Sequence, residues 1–149
     1  MMTKTLYIAF KGKNNSSFRL VNCLKGEKMF LTNSFAGVQR DIDAWNSDYE
    51  KIIIFGLDKN LHESIRFEQA AMGTGQIVYT SFDMEVYVKQ AENMGVDYCI
   101  SRKPTNYLCN EAYFCMMKKA TCPVLLVHIP GNSNMTDEFF EKLVEMFEE

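Results

Sequence analysis

Short apolar runs that end at charged or turn-forming residues constrain the fold of this 149-residue chain most strongly. The clearest are 5–10 (TLYIAF), 51–57 (KIIIFGL), 76–82 (QIVYTSF) and 123–129 (PVLLVHI), with 97–101 (DYCIS) as a weaker example. Runs rich in branched and aromatic residues, without regular polar alternation, are typical of strands buried on both faces. The chain therefore favours a largely parallel sheet.

Helical patterns lie between these runs. An apolar stripe at helical spacing runs through 34–45, an amphipathic segment at 83–95 ends at Gly95, and the last helix is expected to begin after Thr136 as its N-cap. Alternation of strands and helices over 1–149 predicts one α/β domain, a three-layer α/β/α sandwich around a mostly parallel central sheet. Ligands of such sheets bind at the carboxyl ends of the strands.

Composition excludes several classes of function. Sixteen Lys and Arg against 19 Asp and Glu give a formal charge of −3, so we expect no nucleic-acid partner. The apolar runs are too short to cross a bilayer, and the first residues lack the apolar region of a signal peptide. Five cysteines without a C-x-x-C pair fit a reducing compartment, so a cytoplasmic protein without membrane contact is expected.

Cys109 is a core residue, a metal ligand or a nucleophile. It lies one turn into a predicted helix, which Pro104 introduces and Thr105 or Asn106 is expected to cap. With Asn106 as the cap, Cys109 is the third helical residue, where unpaired N–H groups stabilise a thiolate. The helix contributes only about 0.3–1 kcal/mol, less than one pKa unit, so a reactive thiol needs a second cationic neighbour.

His128 is the candidate partner, because it ends the run VLLVH at the carboxyl end of a predicted buried strand. Position alone equally allows a core histidine bonded to backbone. His62 lies in a polar stretch typical of a solvated loop. A zinc site could be assembled by count from Cys109, Cys115, Cys122 and His128, but residues six apart on a helix do not point together. We therefore expect no metal and no cofactor.

Three segments, in order, resemble motifs of the pyroglutamyl peptidase I family, the pyrrolidone-carboxylate peptidases. SRKPTNYLCNEAYF follows the cysteine motif S-x-x-A-G-x-[FY]-[LIV]-C-N-x-x-x-[FY], except at Pro104 and Thr105. GLDKNLHESIRFEQAAMG follows the glutamate motif, I-[ST]-x-E-[KR]-[LIVC]-[AG]-x-[NG] in its second half. It departs from that motif at Arg66 and Gln69. The third segment, LVHIP, resembles the segment around the family's histidine and contains His128. The resemblance extends over nearly the whole chain, which resembles a short and divergent member of the family.

The resemblance implies the family's α/β/α fold and a triad in which Cys109 attacks an amide, His128 transfers protons and Glu68 orients the imidazole. On its own, Glu68 also fits a solvent-facing position in an alternating stretch. Phe10 matches the first of two aromatic residues that hold the pyroglutamyl ring, whereas the second position offers Lys13 or a deletion. The family's arginine-bearing segment, which helps to shape the oxyanion site, has no counterpart within 69–100.

Two functions follow from the resemblance. One is a cysteine peptidase, an omega-peptidase that removes an N-terminal pyroglutamyl-type residue from a peptide or small amide. The other is a catalytically weak or inactive descendant that binds a small ligand or a peptide terminus in the same crevice, since a fold does not fix a function. A homo-oligomer is compatible with both.

Overall fold

The computed structural model describes residues 4–105 and 107–148. It is an α/β structure with five helices and eight strands among those residues. The strands are β1 Thr5–Phe10, β2 Glu27–Leu31, β3 Lys51–Leu57, β4 Ser64–Glu68, β5 Ala70–Gly73, β6 Gln76–Tyr79, β7 Asp97–Ser101 and β8 Val124–Ile129. The helices are α1 Ser16–Cys23, α2 Phe35–Ala44, α3 Glu85–Met94, α4 Leu108–Lys119 and α5 Asp137–Phe147.

Six strands form the central sheet in the order β2-β1-β3-β8-β4-β7. All neighbouring pairs are parallel except β4 and β8, which run antiparallel. The mostly parallel central sheet expected from the sequence is thus confirmed. Strands β1, β3 and β8 are completely or almost completely buried, as their apolar composition predicts.

Each face of the sheet carries its own apolar core. One core joins β1, β3 and β8 to α2 and α4, through side chains such as Ile54, Leu126 and Tyr113. The opposite core joins the sheet to α1, α3 and α5, through side chains such as Phe55, Val127 and Phe147. These two helix layers and the sheet form the three layers of the sandwich.

The expected central strand at 76–82 is wrong in its location. Residues Gln76–Tyr79 do form a strand, but it pairs with β5 in a separate two-stranded antiparallel sheet. Thr74 and Gly75 connect the two strands with positive φ angles of 49° and 75°, as in the tight turns that favour hairpins. Strands β2, β4 and β5 and helix α1 are additional to the elements expected from the sequence.

The helices at 34–45 and 83–95 and the one after Thr136 are confirmed. The Thr136 hydroxyl accepts a hydrogen bond from the Phe139 N–H, at 3.1 Å, and so caps α5. Gly95 ends α3 with a φ of 70°, in the left-handed region that glycine adopts without strain. Across the described part of the chain, every helix is too short or too polar to span a membrane.

Candidate active site

Glu68 is the last residue of β4 and is only 2% exposed, so it is not the solvent-facing residue that its alternating sequence also allowed. Side chains two residues apart on a strand point to the same face. Glu68 therefore shares a face with Arg66, and the Arg66 Nε donates to Glu68 Oε2 at 2.5 Å. The Tyr113 hydroxyl of α4 donates to the Glu68 carbonyl at 2.7 Å and ties β4 to this helix.

His128 lies on β8, directly opposite Arg66 in the antiparallel register with β4. Its Nδ1 lies 2.7 Å from Glu68 Oε2, and the ring is 1% exposed. His128 is thus bonded to a carboxylate, not to backbone as a core histidine would be. The other ring nitrogen, Nε2, is buried and finds no hydrogen-bond partner among residues 4–105 and 107–148.

Cys109 is the second residue of α4, and its sulfur faces the sheet at Gly56 of β3. A Cβ built on Gly56 would lie 2.5 Å from Cys109 Sγ and 3.1 Å from His128 Cδ2. The sulfur and the imidazole are therefore neighbours above this glycine. The structure thus brings Cys109, His128 and Glu68 together, although they come from a helix and two strands.

The start of α4 differs from the expected one. Tyr107 occupies the N-cap position without a side-chain hydrogen bond, and the expected cap Thr105 precedes it. Asn106, the other expected cap, lies outside the described residues. Cys109 is consequently one position nearer the helix N-terminus than the third position predicted.

Burial raises the pKa of the Cys109 thiol to about 12. The backbone N–H groups of Leu57 and Cys109 act in the opposite direction, and the carboxylates of Glu68 and Asp58 raise the pKa further. Desolvation of a charged sulfur thus outweighs the helix terminus, which alone favours a thiolate. A thiol whose pKa is raised in this way loses its proton only to a base.

A chain of alternating charges extends from the imidazole. Arg66 Nη2 lies 2.9 Å from Asp58 Oδ2 and 3.3 Å from His128 Nδ1, while its Nε holds Glu68. Burial alone would raise the pKa of Asp58, but the Asn60 N–H and Arg66 lower it. Burial alone would lower the pKa of Arg66, but Glu68 and Asp58 raise it. Asp58 and Arg66 are thus both held in their charged forms.

A cavity of about 370 Å³ opens beside the sulfur. Its walls include Phe10, Leu57, Asp58, Tyr107, Leu108 and Cys109. Phe10 is 2% exposed and lies where the resemblance places a ring-binding aromatic residue. Lys13 is exposed on the turn before α1. The second aromatic position therefore carries no aromatic side chain. The exposed Tyr107 contributes one to a different wall of the cavity.

Arg66 and Asp58 are the site residues that the sequence did not reveal. The available signal was the alternation Arg66–Phe67–Glu68, which places two opposite charges on one face of a strand. For the zinc alternative, the described ranges contain no group of three or more His, Cys, Asp or Glu side chains arranged to hold a metal ion.

No protein-family model matches the sequence, and a search of curated proteins finds no significant match. Solved structures do match. The pyrrolidone carboxyl peptidase from Thermus thermophilus superposes with a TM-score of 0.80 at 14% identity, over 95% of this chain and 96% of that one. The enzyme from Fervidobacterium islandicum AW-1 gives 0.79 at 15% identity, over 97% and 94% of the two chains.

Pyroglutamyl peptidase I from Bacillus amyloliquefaciens gives a TM-score of 0.78 at 14% identity, over 97% of this chain and 93% of that one. These identities are low, whereas the superpositions extend over nearly the whole of each chain. The chain therefore has the fold of the pyroglutamyl peptidases.

Proposed function

We propose that this protein is a cysteine hydrolase that cleaves an N-terminal, pyroglutamyl-type amide through Cys109, His128 and Glu68. The observation that carries the proposal is the arrangement of the imidazole. Its Nδ1 is bonded to Glu68, and its Nε2 is buried without a hydrogen-bond partner among the described residues. The adjoining ring atom, Cδ2, lies with the Cys109 sulfur above Gly56. A nucleophile, a base and a group that orients the base are the components of a catalytic triad.

Glu68 favours the imidazole tautomer that carries its proton on Nδ1, because a carboxylate only accepts hydrogen bonds. Nε2 is then a free acceptor for the Cys109 thiol proton. The thiolate so formed attacks the amide carbon, and a carbon–sulfur bond forms as the carbonyl oxygen becomes an oxyanion. The N–H groups of Leu57 and Cys109, which face the sulfur, are candidate donors to that oxyanion.

Collapse of the tetrahedral intermediate breaks the carbon–nitrogen bond, and the imidazolium gives its Nε2 proton to the departing amine. Water then attacks the thioester with Nε2 as the base, which releases the acid and restores the thiol. The raised pKa of Cys109 is compatible with this sequence, because the proton passes from the sulfur to His128 Nε2 only as the sulfur bonds to the carbonyl carbon.

The cavity supports a small acyl group as the substrate. Phe10 offers an apolar wall, but the exposed Lys13 does not complete an aromatic pair. Loss of one wall costs a factor of roughly 10 to 200 in discrimination, and a missing oxyanion donor roughly 10² to 10³ in turnover. The two losses act on binding and on chemistry, so pyroglutamyl substrates should be cleaved weakly.

The test is kcat/KM on a fluorogenic pyroglutamyl amide, with the Thermus thermophilus peptidase measured alongside. We expect slow turnover by the wild type, none by Cys109→Ala, and unchanged turnover by the matched control Cys115→Ala. Activity that survives Cys109→Ala would contradict the proposal. Turnover equal to that of the reference enzyme would contradict the assigned weakness.

A second candidate function is a binding module for a small ligand or peptide terminus, and the departures from the cysteine motif at Pro104 and Thr105 and the exposed Lys13 favour it. Titration calorimetry with pyroglutamyl amides separates the two functions, since a binding module shows affinity without turnover. For either function we propose a peptide or small-amide partner, and both functions are compatible with a homo-oligomer. We also propose a cytoplasmic location, because the five cysteines are free.

A further inference from the structure

The Asp58–Arg66–Glu68–His128 network contains two residues that a triad does not need, Asp58 and Arg66. Arg66 is mostly buried, with 18% of its side chain exposed. Its guanidinium contacts both the carboxylate and the imidazole of the candidate triad. Its own counter-ion is Asp58, whose side chain is 12% exposed. Enclosed charges of this kind persist only when each is paired.

Arg66 and His128 share one acceptor atom. The Arg66 Nε and the His128 Nδ1 both approach Glu68 Oε2, at 2.5 Å and 2.7 Å. A carboxylate that accepts two such hydrogen bonds is held in one orientation. The imidazole orientation therefore depends on Arg66 as well as on Glu68.

We propose that Arg66, anchored by Asp58, is a positioning residue that fixes the Glu68 carboxylate beneath His128. The role concerns the site of the proposed function and rests on that function for its catalytic meaning. Arg66 contacts the ring at Nδ1, the nitrogen opposite the one assigned to the thiol proton. It is therefore not the oxyanion donor that the resemblance implied elsewhere in the chain.

The groups around the imidazole come from three elements. Glu68 and Arg66 face it from β4, Asp58 holds Arg66 from the segment after β3, and the Cys109 thiol approaches it from α4. Loss of Arg66 should free the Glu68 carboxylate and weaken its bond to Nδ1. Loss of Asp58 should have the same effect to a smaller extent, because Arg66 itself remains.

The experiment is histidine side-chain NMR of the ¹⁵N-labelled protein at one fixed pH. The chain has two histidines, and the exposed His62 serves as an internal reference. The signal measured is the His128 Nδ1–H proton, which resonates at low field while it is bonded to the Glu68 carboxylate. In Arg66→Met this signal should move to higher field and exchange faster with water, and in Asp58→Asn it should change in the same way but less. The His62 signals should be the same in all three proteins.

Arg66→Lys provides a second, milder variant should the methionine protein fold poorly. Lysine keeps the charge but loses the two-pronged geometry, so the His128 Nδ1–H signal should lie between those of the wild type and Arg66→Met. A signal that stays in place in Arg66→Met, or one that moves further in Asp58→Asn than in Arg66→Met, would overturn the proposal.

Kinetics add a second readout on a wild type that is active. Arg66→Met should lower kcat roughly 10- to 100-fold with little change in KM, and Arg66→Lys should recover part of the loss, since the residue touches the base and not the substrate. Equal losses in kcat for the two variants, or a change confined to KM, would count against a positioning role. The NMR result stands even for a wild type without amidase activity, so failure of the proposed function and failure of this role are distinguishable.

Discussion

The two sides of the candidate site are built differently. The strand side, defined by Gly56, Glu68 and His128, is buried and lies on the central sheet. The loop side, defined by the turn 11–15, residues 59–60 and Tyr107, is mostly exposed. Strands fix side-chain geometry more tightly than loops do, so this difference separates the chemistry of the site from its recognition of a ligand.

The comparison also explains the departures from the family motifs. The residues implied to do chemistry lie on the strand side and on α4, where the fold brings them together. The second aromatic position, Lys13, lies on the loop side, where sequence changes cost little stability. A chain of this kind can keep its reactive groups while it changes the ligand that it accepts.

We expect the largest effect from removing the proposed general base, His128, from the strand side. His128→Ala removes the proton acceptor for a thiol that is protonated at rest, so kcat should fall by roughly 10²–10⁴. The measurement is steady-state hydrolysis of the amide on which the wild type is fastest. His62→Ala, the matched control in an exposed loop, should retain full activity, and full activity in His128→Ala would contradict the assignment.

Gly56→Ala should lower the rate of hydrolysis almost as much, although it removes no reactive group. Its Cβ would lie 2.5 Å from Cys109 Sγ, closer than atoms can approach, so the nucleophile must shift. A misplacement of about 1 Å costs roughly 10²-fold in rate. Gly131→Ala is the control, because its Cβ would meet only the flexible end of Leu57, at 3.2 Å. Equal activity of the two variants would show that the sulfur is not held against β3.

A change on the loop side should alter recognition and leave the chemistry intact. Lys13→Phe offers the missing aromatic wall, so KM for a pyroglutamyl amide should fall by about 10-fold while kcat stays the same. Steady-state kinetics on the pyroglutamyl amide and on an unrelated aminoacyl amide separate a specific gain from a general one. A change in kcat with KM constant would contradict the division into two sides.

The last prediction concerns stability and not activity. Burial raises the Cys109 pKa from its ordinary value of 9.0 to about 12, so the unfolded chain loses this proton first as the pH rises. Stability from this group is complete below about pH 9 and is lost between pH 9 and about pH 12. Over that interval the free energy of unfolding of the wild type should fall more steeply with pH than that of Cys109→Ala. Denaturant titrations at several pH values measure this difference, and parallel slopes would contradict a buried, protonated thiol.

The sequence was sufficient to predict those elements in which one physical signal dominates. The runs that became β1, β3 and β8 are apolar throughout because helices cover both faces of the sheet. The position of His128 at the end of such a run, and of Cys109 at a helix start, followed from the same patterns. The strand at 97–101, the weaker candidate, is the edge strand β7, where one neighbour suffices.

Sequence was insufficient where long-range contacts decide the outcome. Strand β4 alternates charged and apolar residues, a pattern typical of a half-exposed strand or loop, yet its charges are paired with groups distant in sequence. Strand β2 is partly exposed at the edge of the sheet, and α1 has eight residues, so both give weak periodic signals. The separate hairpin of β5 and β6 depends on the Thr74–Gly75 turn, a local signal that outweighed the apolar character of 76–82.

The most direct test of the central claim is whether Cys109 is acylated by a substrate through His128. The protein is mixed with an activated pyroglutamyl ester, quenched in acid at successive times, digested and analysed by mass spectrometry. We predict that the acyl group appears first on the peptide containing Cys109, that it disappears as the thioester hydrolyses, and that it forms at least 10²-fold more slowly in His128→Ala. Acylation of the exposed Cys23 and Cys99 at the rate of Cys109, or an equal rate in wild type and His128→Ala, would contradict the account.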